Sequence, residues 1–471
     1  MAAVEGILSF AVVAATAIVA PTVFGLGLVR ALGLPRGAGV RVQLAYAWLT
    51  GQVALAACTA AWLWLGQPWP GLLLPIVALL AGAWLLWRCQ PPAATGDALA
   101  APSRTARGLT FAATAAVVLG LVHDGMVVNA EPIRIGDEAE IWAAKAKALH
   151  GANDIELGQS LAMVSHADYP NLQPLVQVLA FAGSGRVLHF ENRLPVQFFG
   201  VALLLLLSAA ATRRAHTPVA LAALVACSGT LATAGATRAY ADTAVAFAAL
   251  ATVDALLRWH ETGARVWWRL ACLAAAALLA SKNEGTMLLL AIALPTAAWS
   301  FARTAPERPR PALPRRELGW LLVPAVTWTL HRVFLHTFDL RTDLTDPALA
   351  GGRGLATRIV DQAATHGPQV AEYFGRMAID PAAHRLLPIV FALAATVALA
   401  SSRRRWLGEG AALLAAIAGS AIAGYALVFV GTHADLGWHL STAAARTVAH
   451  VVPLCALGAA MALAPRGGAG R

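Results

Sequence analysis

The sequence predicts an all-α fold, a polytopic bundle of about 13 transmembrane helices, and three observations predict it. Of 471 residues, 58% are hydrophobic and only 13% are charged, where soluble domains carry roughly a quarter charged residues. Apolar runs near the roughly 20 residues that a spanning helix needs recur along the chain. Arginines gather in the short segments between those runs, the pattern that sets topology in a bilayer. The formal charge of +10 is therefore read as topology signal rather than as a nucleic-acid surface, and no nucleic-acid partner is expected.

The candidate spans are 5–29, 43–66, 70–87, 108–128, 194–211, 218–236, 241–257, 267–281, 285–301, 318–336, 385–401, 409–430 and 446–464. The first has no basic residue before it and exceeds a signal-peptide core, so a retained helix is expected. Arg30, Arg36 and Arg41, then Arg88, Arg104 and Arg107, then Arg213 and Arg214, and the later clusters through Arg403–Arg405 all fall on one side, the cytoplasm. Leu172–Leu188 is left out of the count because including it would move every later cluster outward. With Gln173, Pro174 and Gln177 in it, the stretch reads as a helix at the outer interface or a partly inserted one. A weakly amphipathic piece around Leu355 to Met377 reads as a second interfacial helix. The division is an N-terminal extension of three spans and a linker (1–107), a core (108–464) with outer loops 129–193 and 337–384, and a cytoplasmic tail (465–471). None of the five cysteines sits at CxxC spacing, so neither a disulfide framework nor a zinc site is indicated.

The polar motifs then collect on the opposite, outer face. Ile135-Gly-Asp137-Glu138-Ala-Glu140-Ile-Trp142-Ala-Ala-Lys145-Ala-Lys147 follows the fourth span. Asp137 and Glu138 are its candidate catalytic carboxylates, since abstracting a proton from a hydroxyl needs a carboxylate tuned by its neighbours. Glu138, Trp142 and Lys145 share one helical face, although a solvated amphipathic helix would use the same spacing. Asp168 and Tyr169 precede Pro170, in a turn that either aims them at the site or caps the next helix at Asp168 or Asn171. Arg238, Tyr240 and Asp242 lie at an outer turn; Arg238 and Asp242 suit an anion site or a mere i,i+4 ion pair. Lys282, Asn283 and Glu284 interrupt two apolar runs, where charges are costly unless paired or used. His433, Asp435, His439 and Arg446 form the last outer group, with spacing too sparse to indicate a metal.

Taken together, these segments resemble the GT-C class of integral-membrane glycosyltransferases, near the protein O-mannosyltransferases and aminoarabinose transferases. The likeness rests on the outer loop with Asp137-Glu138. Trp142-x-x-Lys145-Ala-Lys147, Asp168-Tyr169-Pro170, Tyr240-Ala-Asp242, Lys282-Asn283-Glu284-Gly285 and Ser441-Thr442-x-x-x-Arg446 with Pro453 add to it. It covers roughly 108–464. The resemblance implies a polyprenyl-phosphate-linked sugar as donor, an extracytoplasmic acceptor (lipid, glycan or protein), inverting transfer and a place in a bacterial inner membrane. It implies Asp137 as general base, with Glu138 assisting. From charge and side, Lys282, Arg238 and Arg446 are assigned to the departing lipid phosphate. The class includes members for which a divalent metal matters, and nothing in this sequence fixes one. Two other readings stand beside it: a transporter or flippase for a lipid-linked or small polar solute, and a glycan polymerase or ligase.

Overall fold

The computed structural model describes residues 2–65, 71–89, 104–133, 136–151, 154–215, 217–233, 235–302, 313–342, 352–380 and 410–463. Among these residues there are helices and turns and no strand. Seven helices are long and apolar enough to cross a membrane: Ile7–Ala31, Val40–Trp64, Gly108–Asn129, Glu191–Arg214, Glu284–Phe301, Arg315–Thr337 and Ala411–Val430. Their lipid-type faces leave Leu73, Leu80, Trp84 and Trp87 of one short helix, and Leu119, Leu322 and Leu330 of the long ones, exposed. A surface of this kind belongs in a bilayer rather than in water. This is a helical membrane protein.

Among the described residues seven helices, or eight with one bent pair, have the length and hydropathy of a span, fewer than the 13 expected. The runs at 70–87, 218–236 and 267–281 become helices Leu73–Arg88, Thr217–Thr233 and Arg265–Ser281, of 16, 17 and 17 residues. At 1.5 Å per residue each falls short of a 30 Å hydrocarbon core. The run at 241–257 is helix Asp242–Thr262, whose second half carries Asp254, Arg258 and Glu261. The last run is broken into Leu436–Ala449 and Val452–Ala462, bent by 46°; Pro453 at the start of the second piece has no N–H for the ladder. The expected span 385–401 lies outside the described residues.

Leu172–Ser184 is likewise not an interfacial helix. Every residue from Leu172 to Ala182 is buried, and the helix packs against Val40–Trp64, Leu194–Arg214 and Arg265–Ser281. Its apolar run is what a helix hidden on all sides requires, and Gly185 at φ +66° ends it. The expected amphipathic helix is present as Leu355–Ile379. Its apolar side packs Val370 and Met377 on Phe429, Leu436 and Leu440. Its polar side covers the end of Ala411–Val430: Arg358 Nε donates to Gly431 O at 2.8 Å and His366 Nδ1 to Val430 O at 3.0 Å. Both carbonyls have no partner within their own helix.

The N-terminal helices pack into this core. Trp48 lies edge-on to Phe198 and Phe199, with centroids at 4.7 and 5.4 Å. A π-helical segment, Ala14–Val19, runs into Ala20–Ala31, which has Pro21 near its start. Pro21 has no N–H for the carbonyl four residues back. That carbonyl, Ala17 O, instead accepts from Gln52 Nε2 at 3.1 Å. A side chain at Gly25 would begin 1.8 Å from Ala47 O, and one at Gly51 would begin 1.9 Å from Pro21 O. The two helices therefore touch backbone to backbone, as small residues allow in membranes.

Candidate active site

Four turns at one end of the bundle bring the outer motifs together. They are the segment entering Ala144–Gly151, the 163–171 turn, the 235–241 turn and the 282–283 turn, and the broken helix supplies Arg446. The Glu138–Ala143 segment is π-helical, so a five-residue period turns Glu138 and Ala143 inward together. Glu138, Trp142 and Lys145 are all buried. The solvated-helix alternative for this segment is thereby removed.

Glu138 meets Arg193 in a fork: Nε to Oε1 at 3.1 Å and Nη2 to Oε2 at 2.8 Å, with both side chains 2% exposed. The Ala239 N–H also donates to Oε1. Arg193 Nη1 closes the network by donating to Val128 O at 3.0 Å and to Glu131 O. A carboxylate with its oxygens taken by a bidentate guanidinium and an amide is a structural anchor. Glu138, expected to assist Asp137, therefore stands in the structure with both oxygens occupied.

Asp137, one residue earlier, is 38% exposed and holds one partner, Arg446, through Oδ2 at 2.5 Å. Arg446 spends Nε on Thr442 O at 3.2 Å and lies over the Tyr240 ring at 5.2 Å. Arg238 is 45% exposed and 3.7 Å from the already occupied Glu138. It is not paired with Asp242, so the i,i+4 alternative fails. Burial raises the Tyr240 phenol above its usual value, with Glu138 and Asp137 pushing the same way against Arg238 and Arg446.

Asp242 is buried at the start of its helix and accepts from Lys282 Nζ at 3.1 Å and from His450 Nε2 at 2.8 Å. His450 Nδ1 in turn meets Tyr425 Oη at 2.8 Å. With Nε2 as the protonated nitrogen, Tyr425 donates to His450 and His450 donates to Asp242. Lys282 also pairs with Glu284 at 2.9 Å and lies over the Tyr169 ring at 5.6 Å. Burial opposes the charge on Lys282, but Asp242 and Glu284 outweigh it and hold the ammonium above the ordinary lysine range. Lys282 is thus both paired and placed at the site.

Tyr169 is stacked between Trp142 (5.5 Å) and His166 (5.1 Å). Burial pushes its phenol up, helped by Glu284. Asp168 accepts from Asn283 Nδ2 at 2.5 Å, while Asn171 starts the next helix from its N-cap position, though without a side-chain capping bond. Lys145 donates to the carbonyls of Ala167 (2.6 Å) and Tyr169, which ties the 163–171 turn to its helix. Burial lowers Lys145 from 10.5 to about 7, against the pull of Asp168. His439 donates to or accepts from Thr432 Oγ1 at 2.8 Å. His433 is exposed, and Asp435 caps its own short helix at Trp438 N.

The structure therefore gathers Asp137, Trp142, Lys145, Asp168, Tyr169, Arg238, Tyr240, Asp242, Lys282, Asn283, Glu284 and Arg446. His433 sits on the neighbouring turn and His439 ends the short helix Leu436–His439 that follows it. Sequence reasoning missed Arg193, His450 and Tyr425. His450 lies four residues after Arg446, on the same helical face, which was the available signal. No three His, Cys, Asp or Glu residues converge as metal ligands among the described residues. Asp137, Glu138 and Asp242 each already face a cation, so these donors do not fit a metal, and no step is routed through one. Comparison with protein-family models, curated proteins and solved structures finds no match.

Proposed function

We propose that the chain is an integral-membrane glycosyltransferase of GT-C type. It moves a sugar from a polyprenyl-phosphate donor to an extracytoplasmic acceptor across a bacterial inner membrane's outer face. The supporting observation is the mouth of the site: an accessible Asp137 beside two accessible guanidiniums, Arg238 and Arg446, around the Tyr240 ring. A carboxylate next to an anion-holding pair is what displacement of a phosphate requires. Asp137 takes the proton of the acceptor hydroxyl as its oxygen attacks the anomeric carbon. The bond from that carbon to the phosphate oxygen breaks, and its electron pair leaves with the lipid phosphate. Arg238 and Arg446 meet the charge that develops there. Lys282, already held by two carboxylates, shapes the site, and Trp142 and Tyr169 give it an aromatic wall.

The test is sugar transfer from extracted polyprenyl-phosphate donors in proteoliposomes. Wild-type protein transfers and Asp137→Asn does not. Full activity in that variant removes the base assignment. Orientation is checked by replacing Met163 and Thr262 with cysteine in a background lacking the five native cysteines. An impermeant reagent labels the first from outside and the second only after lysis.

One observation favours a transporter instead. Arg446 and His450 ride on the broken helix, and broken helices mark solute sites in transporters. Solute uptake by empty proteoliposomes, with no product formed, selects that reading.

A further inference from the structure

We propose that the Asp137–Arg446 ion pair is a latch: a lipid phosphate entering the site takes Arg446 and releases the Asp137 carboxylate. In the structure Arg446 is the partner of Asp137, at 2.5 Å, and the pair is partly open, with side chains 25% and 38% exposed. The other carboxylate near Arg446 is Asp242, and it is occupied by Lys282 and His450. Glu138 is occupied by Arg193 and the Ala239 N–H. Asp137 is thus the one nearby carboxylate that can let go without exposing a second buried charge.

Arg238 supplies the other half of the argument. Its nearest carboxylate is saturated by Arg193, so its charge is not needed there. Arg446 lies over the Tyr240 ring at 5.2 Å, and Arg238 is near enough to act on the same phenol. A phosphate between them meets two planar forks, and guanidinium–phosphate pairs are bidentate and charge-assisted. A single carboxylate contact to Arg446 competes poorly with that. Once its counter-charge is turned elsewhere, the carboxylate is a stronger base. The base is therefore capped while the site is empty and uncapped by the ligand's own phosphate.

The catalytic consequence rests on the glycosyltransferase reading, but the competition itself does not. The probe is farnesyl phosphate, with farnesol and inorganic phosphate as controls, titrated onto the full chain in phosphatidylcholine nanodiscs. Removing a competitor tightens binding, so Asp137→Asn binds farnesyl phosphate about tenfold tighter than wild type, the ratio for one lost opposing contact. Arg446→Gln binds at least about tenfold weaker, and the double variant matches Arg446→Gln. Farnesol does not bind. If inorganic phosphate follows the same rank order, the phosphate group alone is recognised; if only farnesyl phosphate does, the membrane-held ester is the ligand. Equal or weaker binding in Asp137→Asn, with an unchanged melting temperature, overturns the latch, as does absence of binding in all forms. Should Asp137→Asn bind tighter while no donor ever yields transfer, the latch stands and the enzyme reading falls. Transfer without tightening leaves the enzyme and removes the latch.

Discussion

Asp137 and Asp254 each meet arginine, in two differently built regions. Asp254 lies about three turns along the helix that Asp242 begins. It accepts from Arg258 Nε at 2.7 Å, Arg214 Nη1 at 2.8 Å and Tyr46 Oη at 3.3 Å, with its side chain 0% exposed. Glu261 accepts from the Nε groups of Arg213 and Arg214, at 3.2 and 2.8 Å. That network joins three helices and leaves no oxygen of Asp254 free to react. Asp137 has a single partner and an open flank. The difference teaches that charge in a membrane interior is not itself a mark of function. A saturated carboxylate fastens helices, and an unsaturated one beside accessible cations is available to chemistry.

The comparison is broken or sharpened by substitution. Asp137→Asn lowers transfer by about 10²- to 10⁴-fold, the usual weight of a general base, with little change in melting temperature. Asp254→Asn does the reverse: it leaves Arg214 and Arg258 short of a charge and costs about 3–5 kcal/mol of stability, with activity per folded molecule retained. Activity loss of equal size in both variants would erase the distinction. Arg193→Gln belongs with Asp254, because it strands the buried Glu138. It destabilises by a comparable amount, read as a lower melting temperature in detergent.

A smaller effect concerns Lys145. Its folded-state pKa of about 7 lies below its ordinary 10.5. Between those values the unfolded chain holds a proton that the folded chain has released, so stability rises with pH across that window. Lys145→Met abolishes that share of the rise, measured as melting temperature from pH 7 to 10. The smallest change is Arg238→Gln, which weakens donor affinity by about fivefold, since an accessible cation contributes roughly 1 kcal/mol.

Hydropathy made the helical class and most helix positions legible, because a run of apolar residues needs no partner to be recognised. The polar motifs were legible as a group, because arginine placement set them apart from the arginine-rich segments. Pairing was not. Glu138 and Arg193 lie 55 positions apart, and nothing local distinguishes a carboxylate that will be forked from one that will stay open. Burial of Leu172–Ser184 was hidden for a related reason. Gln173 and Gln177 look like surface residues until the helices that enclose them are placed. The lengths of the shorter helices were hidden because composition marks an apolar run but not where the turn at its end falls.

The amide that Gln52 lends to the carbonyl of Ala17 has an evolutionary corollary. Pro21 and Gln52 answer one another across two helices, so descendants of this chain should keep or lose them as a couple. A lineage that replaced the proline would relax selection on its distant companion.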